Sequence, residues 1–296
     1  MLCGEMKVSI VMPCFRMGRF LPRALASVKS QTYGNWQLIA VDDCGPDDGT
    51  TQAVSNFMAG YDDGRVTLIR HATNQGVGAA RNTAIALATG DLIAFLDPDD
   101  YWESTFLRNN IDRFVNGPQV DVVASPVFVV TDETVTGPVQ ILGITPFEKE
   151  IFPQSLAIGS LIQPSAAVVR AEILRTVGGF TTDKKLQHIE DWDLWIRLVK
   201  AGASFDFIDQ PLAFYRKHDG GATSDEAKTA ALTSSLIEEH RGWFDVNQLK
   251  FLKTLSYNVG GLREQALRLD RPTVRFMLKI DKLISYALKP LFRSKR

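Results

Sequence analysis

Four short apolar runs, at residues 7–11, 37–41, 66–70 and 91–96, alternate with three segments of helical periodicity at 19–31, 50–58 and 77–88. Strands separated by helix-length connections pair in parallel, because a helical crossover returns the chain to the same end of the sheet. The first third of the chain therefore predicts an α/β architecture with a mostly parallel central sheet flanked by helices. After Asp91 the run at 91–96 is continuously apolar, as expected of a strand covered on both faces. Gly90, just past the third helix, reads as its C-cap.

Beyond residue 118 the pattern loosens. Residues 120–130 and 135–142 read as strands around a turn, 166–170 as a core strand, and 189–200 as a helix with Trp192, Trp195, Ile196 and Val199 on one face. Residues 209–224 read as a polar, glycine-containing loop, and from 225 the periodicity is helical to the end. The expected organisation is one domain over 1–224, with a nucleotide-binding half at about 6–117 and an acceptor half at about 118–224. A helical, basic extension occupies 225–296.

At 296 residues, 45% of them hydrophobic, the chain has enough material for a full core. Cys3, Cys14 and Cys44 are too few and too unevenly spaced for a disulfide framework or a zinc site, which fits a reducing compartment. The run ending at Pro13 is too short for a signal peptide, and no stretch reaches the about 18 apolar residues that a membrane span needs. The expected location is cytoplasmic.

Ligands of open parallel sheets bind beyond the carboxyl ends of the strands. Here those ends carry acids: Asp42-Asp43 after the second run, and Asp97-Pro98-Asp99-Asp100 after the fourth. The first run ends in Pro13-Cys14-Phe15, without phosphate-cradling glycines. A diphosphate enters such a crevice only with a cation, and hard carboxylate oxygens suit Mg²⁺ or Mn²⁺. The D-x-D spelling alone is weak, since 23 Asp among 296 residues yield about two such pairs by composition, and two occur. Asp191-x-Asp193 lies on a helix, where positions two apart diverge, whereas Asp97 and Asp99 follow a buried strand and can face one site. The plain alternatives are a polar loop with Asp100 as N-cap of the next helix, and turn chemistry for Asp42-Asp43 before Gly45-Pro46.

Several segments occur in a telling order: V-S-I-V-M-P-C-F (8–15), V-D-D (41–43), N-Q-G-V-G-A-A-R-N (74–82), G-D-L-I-A-F-L-D-P-D-D-Y-W (90–102), G-G-F (178–180) and E-D-W-D-L-W-I-R (190–197). Together they resemble the family 2 glycosyltransferases of GT-A fold, over about residues 6–220. The resemblance implies an inverting transferase that moves a sugar from a nucleotide diphosphate sugar, UDP foremost, to an acceptor hydroxyl in cell-surface polysaccharide or glycolipid synthesis. It implies Pro13, Phe15, Asp43, Arg81 and Asp97 at the nucleotide, Asp99 and His218 at a Mn²⁺ or Mg²⁺ ion, and Arg216 in a lid. It also implies Asp191 as the base, with Glu190 supporting it. For Arg81 the alternative is a surface ion pair, and for Asp191 an ordinary acid in the first turn of a helix. Phe15 stands where the family often has an aromatic hydroxyl, so stacking survives there and a hydrogen bond is lost. Trp102 and Trp192 suit sugar-stacking walls or the core, and their spacing favours the core.

Residues 263–296 hold ten Lys/Arg against three Asp/Glu, leaving the first 262 residues at −8. This basic amphipathic stretch suits either an anionic membrane interface, on the inner face of the cell membrane, or packing on protein. Its basic residues are interleaved mainly with aliphatic side chains, with Phe276, Tyr286 and Phe292 as the aromatics, which argues against nucleic acid. A nicotinamide-dependent oxidoreductase is excluded by the missing G-x-G-x-x-G after the first strand. A metal-dependent nucleotidyl- or phosphotransferase leaves Glu190-Asp191 without a role. An inactive sugar-nucleotide-binding protein fits poorly with Asp97, Asp99 and Asp191 together. The partners expected are a nucleotide-sugar donor and a carbohydrate or lipid-linked acceptor.

Overall fold

The computed structural model describes residues 5–131, 140–157, 159–218, 226–248 and 250. Strands β1 (Val8–Cys14), β2 (Trp36–Asp42), β3 (Val66–Arg70) and β4 (Leu92–Phe95) pair in parallel in the order β3-β2-β1-β4. Helices α1 (Leu21–Lys29), α2 (Thr50–Met58) and α3 (Val77–Leu87) connect them. Alternation along each strand decides which residue serves which face. Ile10, Met12, Leu38 and Ala94 pack with Leu21, Leu25 and Val28 of α1. Val11, Ile39, Val41 and Phe95 pack on the other face with Ala80, Ala84 and Ile85 of α3. The predicted α/β architecture is thus present.

Gly90 is not a C-cap. Its backbone is not left-handed, and a Cβ there would stand 2.6 Å from the Lys7 carbonyl oxygen and 2.8 Å from the Ser9 amide nitrogen. The residue is small because two backbones meet there.

The second half completes the sheet. Past the short β5 (Tyr101–Trp102), helix α4 (Phe106–Asn116) leads to β6 (Val122–Ala124) and β7 (Val127–Val130). The apolar run at 120–130, expected as one strand, is divided at Ser125-Pro126: β6 joins the large sheet and β7 a small one. Proline lacks the amide a continuous ladder needs. β8 (Gln140–Leu142) pairs antiparallel with β7, as the expected turn requires, while 132–139 lie outside the described residues. After α5 (Pro146–Glu150), β9 (Ala167–Arg170) inserts antiparallel between β4 and β6. Next come α6 (Ala171–Thr176), α7 (Glu190–Lys200) and β10 (Phe205–Phe207), which gives the seven-stranded order β10-β6-β9-β4-β1-β2-β3. β11 (Ala213–Arg216) occupies the start of the stretch expected as loop and centres the small sheet, β5-β11-β7-β8.

Helix α7 buries two sides, not one. Leu194, Trp195 and Leu198 pack toward the large sheet, while Trp192 and Ile196 pack with Ile189, Leu236 and Phe244. The last two belong to helix α8 (Glu226–Glu239) and a helical run at 241–248. Trp102 and Trp192 are both core residues, their indole N–H groups donating to the Ser165 and Leu156 carbonyls. The basic stretch at 263–296 lies outside the described residues. Among those described, no helix is long and apolar enough to cross a membrane.

Candidate active site

Parallel register places the ends of β1, β2 and β3 side by side, with Cys14 opposite Asp42 and Asp42 opposite Arg70. The next residues, Asp43 and His71, therefore meet: His71 Nδ1 lies 2.7 Å from Asp43 Oδ1, and its Nε2 2.9 Å from Thr83 Oγ1. Asp43 also accepts from the amides of Gln75 (2.9 Å) and Gly76 (2.7 Å), the latter with a left-handed φ of 93°. This buried carboxylate thus holds the 74–76 turn that starts α3. Asp42 does the turn chemistry, accepting from the Gly45 amide at 3.0 Å and the Thr51 hydroxyl at 3.1 Å while Arg70 pairs with it at 3.0 Å. Pro13 is buried within β1; Phe15 is half-buried, with the Arg16 guanidinium 5.1 Å from its ring centre.

Arg81, one turn into α3, is buried and is no surface pair. Nη1 donates to Glu190 Oε1 at 2.7 Å, and Nη2 to the Asp97 carboxylate at 2.7 and 3.0 Å. Burial alone would lower its pKa, but Asp97 and Glu190 outweigh that and raise it, so it stays charged. Its Nε has no hydrogen-bond partner among the described residues. Glu190 Oε2 accepts from the amide of His188, whose φ is 80°. One guanidinium thereby ties the end of β4 to the start of α7.

Asp99 and Asp100 turn toward β11. Asp100 does not cap α4, whose N-cap is Thr105; its Oδ1 accepts from the Arg216 amide at 3.0 Å. Burial first, then Asp99 and Asp97, push the Asp100 carboxyl well above its ordinary value. Arg216, expected in a lid, is a buried strand residue whose Nε donates to the Asp99 carbonyl at 3.1 Å. His218 Nε2 lies 3.1 Å from Asp99 Oδ2, and its Nδ1 is buried without a hydrogen-bond partner among the described residues. The Asp99 carboxyl is raised by burial and by Asp97.

Asp191 opens α7 beside Glu190. Ser160 Oγ donates to its Oδ2 at 3.3 Å. Burial and the neighbouring Glu190 carboxylate push its pKa up to about 7, against the smaller opposing effects of the Trp192 amide, Arg81 and Ser160. A carboxyl with that value exchanges a proton near neutrality. Asp193 points elsewhere: Oδ2 pairs with Arg197 at 2.7 Å and Oδ1 with His240 Nε2 at 2.8 Å.

Residues 9–178 match the family described as Glycosyl transferase family 2. The chain belongs to glycosyl transferase family 2. EpsE of Bacillus subtilis (strain 168) is 32% identical over 230 residues, 78% of each chain. The Escherichia coli UDP-Glc:alpha-D-GlcNAc-diphosphoundecaprenol beta-1,3-glucosyltransferase WfaP is 26% identical over 78% of this chain and 85% of its own. Among solved structures, the mannosyltransferase PcManGT from Pyrobaculum calidifontis, in complex with GDP-Man and Mn²⁺, shares the fold over 99% of this chain and 84% of its own (TM-score 0.64, 16% identity). S. aureus TarS 1–349 in complex with UDP-GlcNAc shares it over 74% of this chain (TM-score 0.59, 20% identity), and the match spans only 61% of that TarS chain.

This family 2 glycosyltransferase gathers its sequence-flagged acids into two linked groups. Arg81 brings Asp97 and Glu190 together, with Asp191 adjacent, and Asp99 meets His218. Asp43 sits apart with His71. Three partners were not flagged by sequence: His71, Ser160 and Ser165, whose hydroxyl accepts from the Asp97 amide at 3.1 Å. For His71 a signal existed, since it follows the third strand as Asp43 follows the second. For the two serines none did.

Among the described residues no three acidic, histidine or cysteine side chains converge as a complete cation cage. The Asp99–His218 pair still fits a divalent ion that takes its remaining ligands from a diphosphate. It supplies a hard oxygen and an imidazole nitrogen, side by side, beside an excess of buried negative charge.

Proposed function

We propose that this glycosyltransferase inverts the anomeric centre, uses a divalent cation, and transfers a sugar from UDP to a hydroxyl of a lipid-linked carbohydrate in cell-surface polysaccharide or glycolipid synthesis. One observation carries the reading: the Asp191 carboxyl, raised to about 7, makes no salt bridge among the described residues and accepts from Ser160, next to a Glu190 already committed to Arg81 and the His188 amide. Of the two carboxylates, only Asp191 is available to take a proton.

In this mechanism Asp191 accepts the acceptor hydroxyl's proton as that oxygen bonds to the anomeric carbon. The bond from that carbon to the diphosphate oxygen breaks, and its electron pair leaves with UDP. The transition state has oxocarbenium character, as in glycoside hydrolysis, but a diphosphate needs no general acid. Asp99 and His218 would hold Mn²⁺ or Mg²⁺, which, when bound, neutralises the leaving diphosphate. Asp43 and Phe15 would meet the base, and Asp97, fixed by Arg81, the ribose. Arg81 acts through Asp97 and Glu190 rather than on the nucleotide itself. Residues 6–117 serve the nucleotide and 118–224 the acceptor.

The UDP donor and lipid-linked acceptor are supported by WfaP, whose name states both, and the cation by the Mn²⁺ bound to PcManGT. The test is nucleotide release across UDP-, GDP- and dTDP-sugars with Mn²⁺ and a polyprenyl-diphosphate-linked sugar as acceptor. Turnover with a UDP-sugar that EDTA abolishes is the expected result. Turnover unaffected by EDTA removes the cation from the reading.

A further inference from the structure

Asp193 and the helices after residue 225 have no part in the mechanism above, yet they meet at the catalytic helix. Asp193, in the first turn of α7 with Asp191, is buried and held on both oxygens: Arg197 on Oδ2, His240 on Oδ1. Burial would raise its carboxyl, but the hydrogen bonds from His240 and Arg197 outweigh that and hold it below its ordinary value. Lys200 Nζ lies 3.3 Å from His240 Nδ1, so a chain of donors runs from Lys200 to His240 to Asp193. The Arg197 guanidinium continues the network to the Val177 carbonyl at 2.7 Å.

Apolar contact follows the same path. Leu236 and Phe244 pack with Ile189, Trp192 and Ile196, and the rings of Trp192 and Phe244 stand 6.1 Å apart, edge to face. Gln248 Nε2 donates to the Ala157 carbonyl at 3.3 Å, three residues before Ser160, the hydroxyl partner of Asp191. The helices therefore press on both supports of Asp191: the α7 turn that carries it and the strand of chain that bears its hydrogen-bond donor.

We propose that α8 and the helical run at 241–248 form a clamp that sets the direction of Asp191, and that His240 is a positioning residue acting through Asp193. The proposal rests on the reading of Asp191 as the base. A helix free to shift by a fraction of an ångström moves a general base out of reach of its proton, while the donor, bound at β1, β2 and β4, is untouched.

The experiment compares His240→Ala, His240→Gln and Asp191→Asn in the full chain, with UDP-glucose as donor and Mn²⁺ present. It reads both UDP affinity and the turnover rate of nucleotide release. His240→Ala is expected to lower kcat by about tenfold or more with UDP affinity within about twofold, since misplacement costs chemistry and not ground-state binding. His240→Gln, whose amide N–H can replace Nε2–H, is expected to recover kcat to within about threefold of the parent. A wild-type kcat in His240→Ala overturns the clamp, as does a parallel loss of UDP affinity or a His240→Gln as impaired as His240→Ala. If His240→Ala does not fold, Lys200→Met at its exposed position gives the reading: a two- to threefold drop in kcat, about what loss of an outer hydrogen bond produces, supports the clamp, and no drop overturns it. Asp191→Asn separates the two ideas, because full activity there defeats the base assignment itself.

Discussion

The two D-x-D pairs share a spelling and little else. Asp97 and Asp99 stand in the extended loop after β4, and each meets a cationic or imidazole partner from a distant part of the chain, Arg81 and His218. Asp191 and Asp193 stand in the first turn of α7, and their pKa values move in opposite directions: Asp191 up to about 7, Asp193 below its ordinary value. Helical geometry explains why, since residues two apart point about 200° around the axis from each other. One carboxylate faces the site, with a hydroxyl and a like charge for company. The other faces the interior, with an arginine and a histidine. Spacing decides where a carboxylate points; its neighbours decide whether it can carry a proton.

The largest expected effect breaks the helical pair apart. Asp191→Asn is expected to lower kcat by about 10³-fold, within the range a positioned general base supplies, with UDP affinity within about twofold. Steady-state kinetics together with calorimetric UDP binding make the check. Equal losses in both would return Asp191 to the structural class of Asp193. In the loop pair, Asp99→Ala is expected to weaken Mn²⁺-dependent UDP binding by at least about tenfold, as loss of a metal ligand or its close support does. Thermal stabilisation by UDP, with and without Mn²⁺, reports it. Asp193→Asn in the same assay is expected to leave the Mn²⁺ dependence intact. Arg81→Met is expected to cost about 3–5 kcal/mol in chemical denaturation, since it leaves the buried Glu190 and the part-buried Asp97 without their counter-charge.

Much of this was legible in the chain, and the limits have physical causes. β1, β2 and β4 announced themselves because both their faces are buried, so each reads as a largely apolar run, whereas the edge strand β3 fully buries only Val66. Strand ends then located Asp43, Asp97 and Asp99. The break at Ser125-Pro126 was hidden because both sides of it are apolar, and only the proline marks the change of sheet. Arg81 was flagged, but its burial was not: its two acids lie 16 and 109 residues away in sequence, and nothing local records them. Arg216 and Tyr215 read as loop because a four-residue strand beside a glycine-rich stretch carries too little periodicity. Gly90 was misread for a related reason, since its close neighbours belong to β1 and not to its own helix.

The smallest effect tests the opposite signs within α7 by stability. The ordinary Asp191 carboxyl titrates at 3.8, and the folded protein raises it to about 7. Between those values the native state keeps a proton that the unfolded chain has released. Its contribution is therefore present below about pH 4 and is lost as pH rises through about 7. Asp191→Asn removes that loss, so its Tm relative to the parent is expected to rise from no difference near pH 4 to about 2–4 °C above it at pH 8. Asp193 has the reverse sign: its folded value is depressed, so its contribution is present above the ordinary carboxylate value and is lost as pH falls. Asp193→Asn is accordingly expected to lower Tm at pH 8, with the deficit shrinking in acid. Thermal melts of the two variants across pH 4–8 should diverge in opposite directions from the parent, and curves that move together would mean the two aspartates occupy one environment after all.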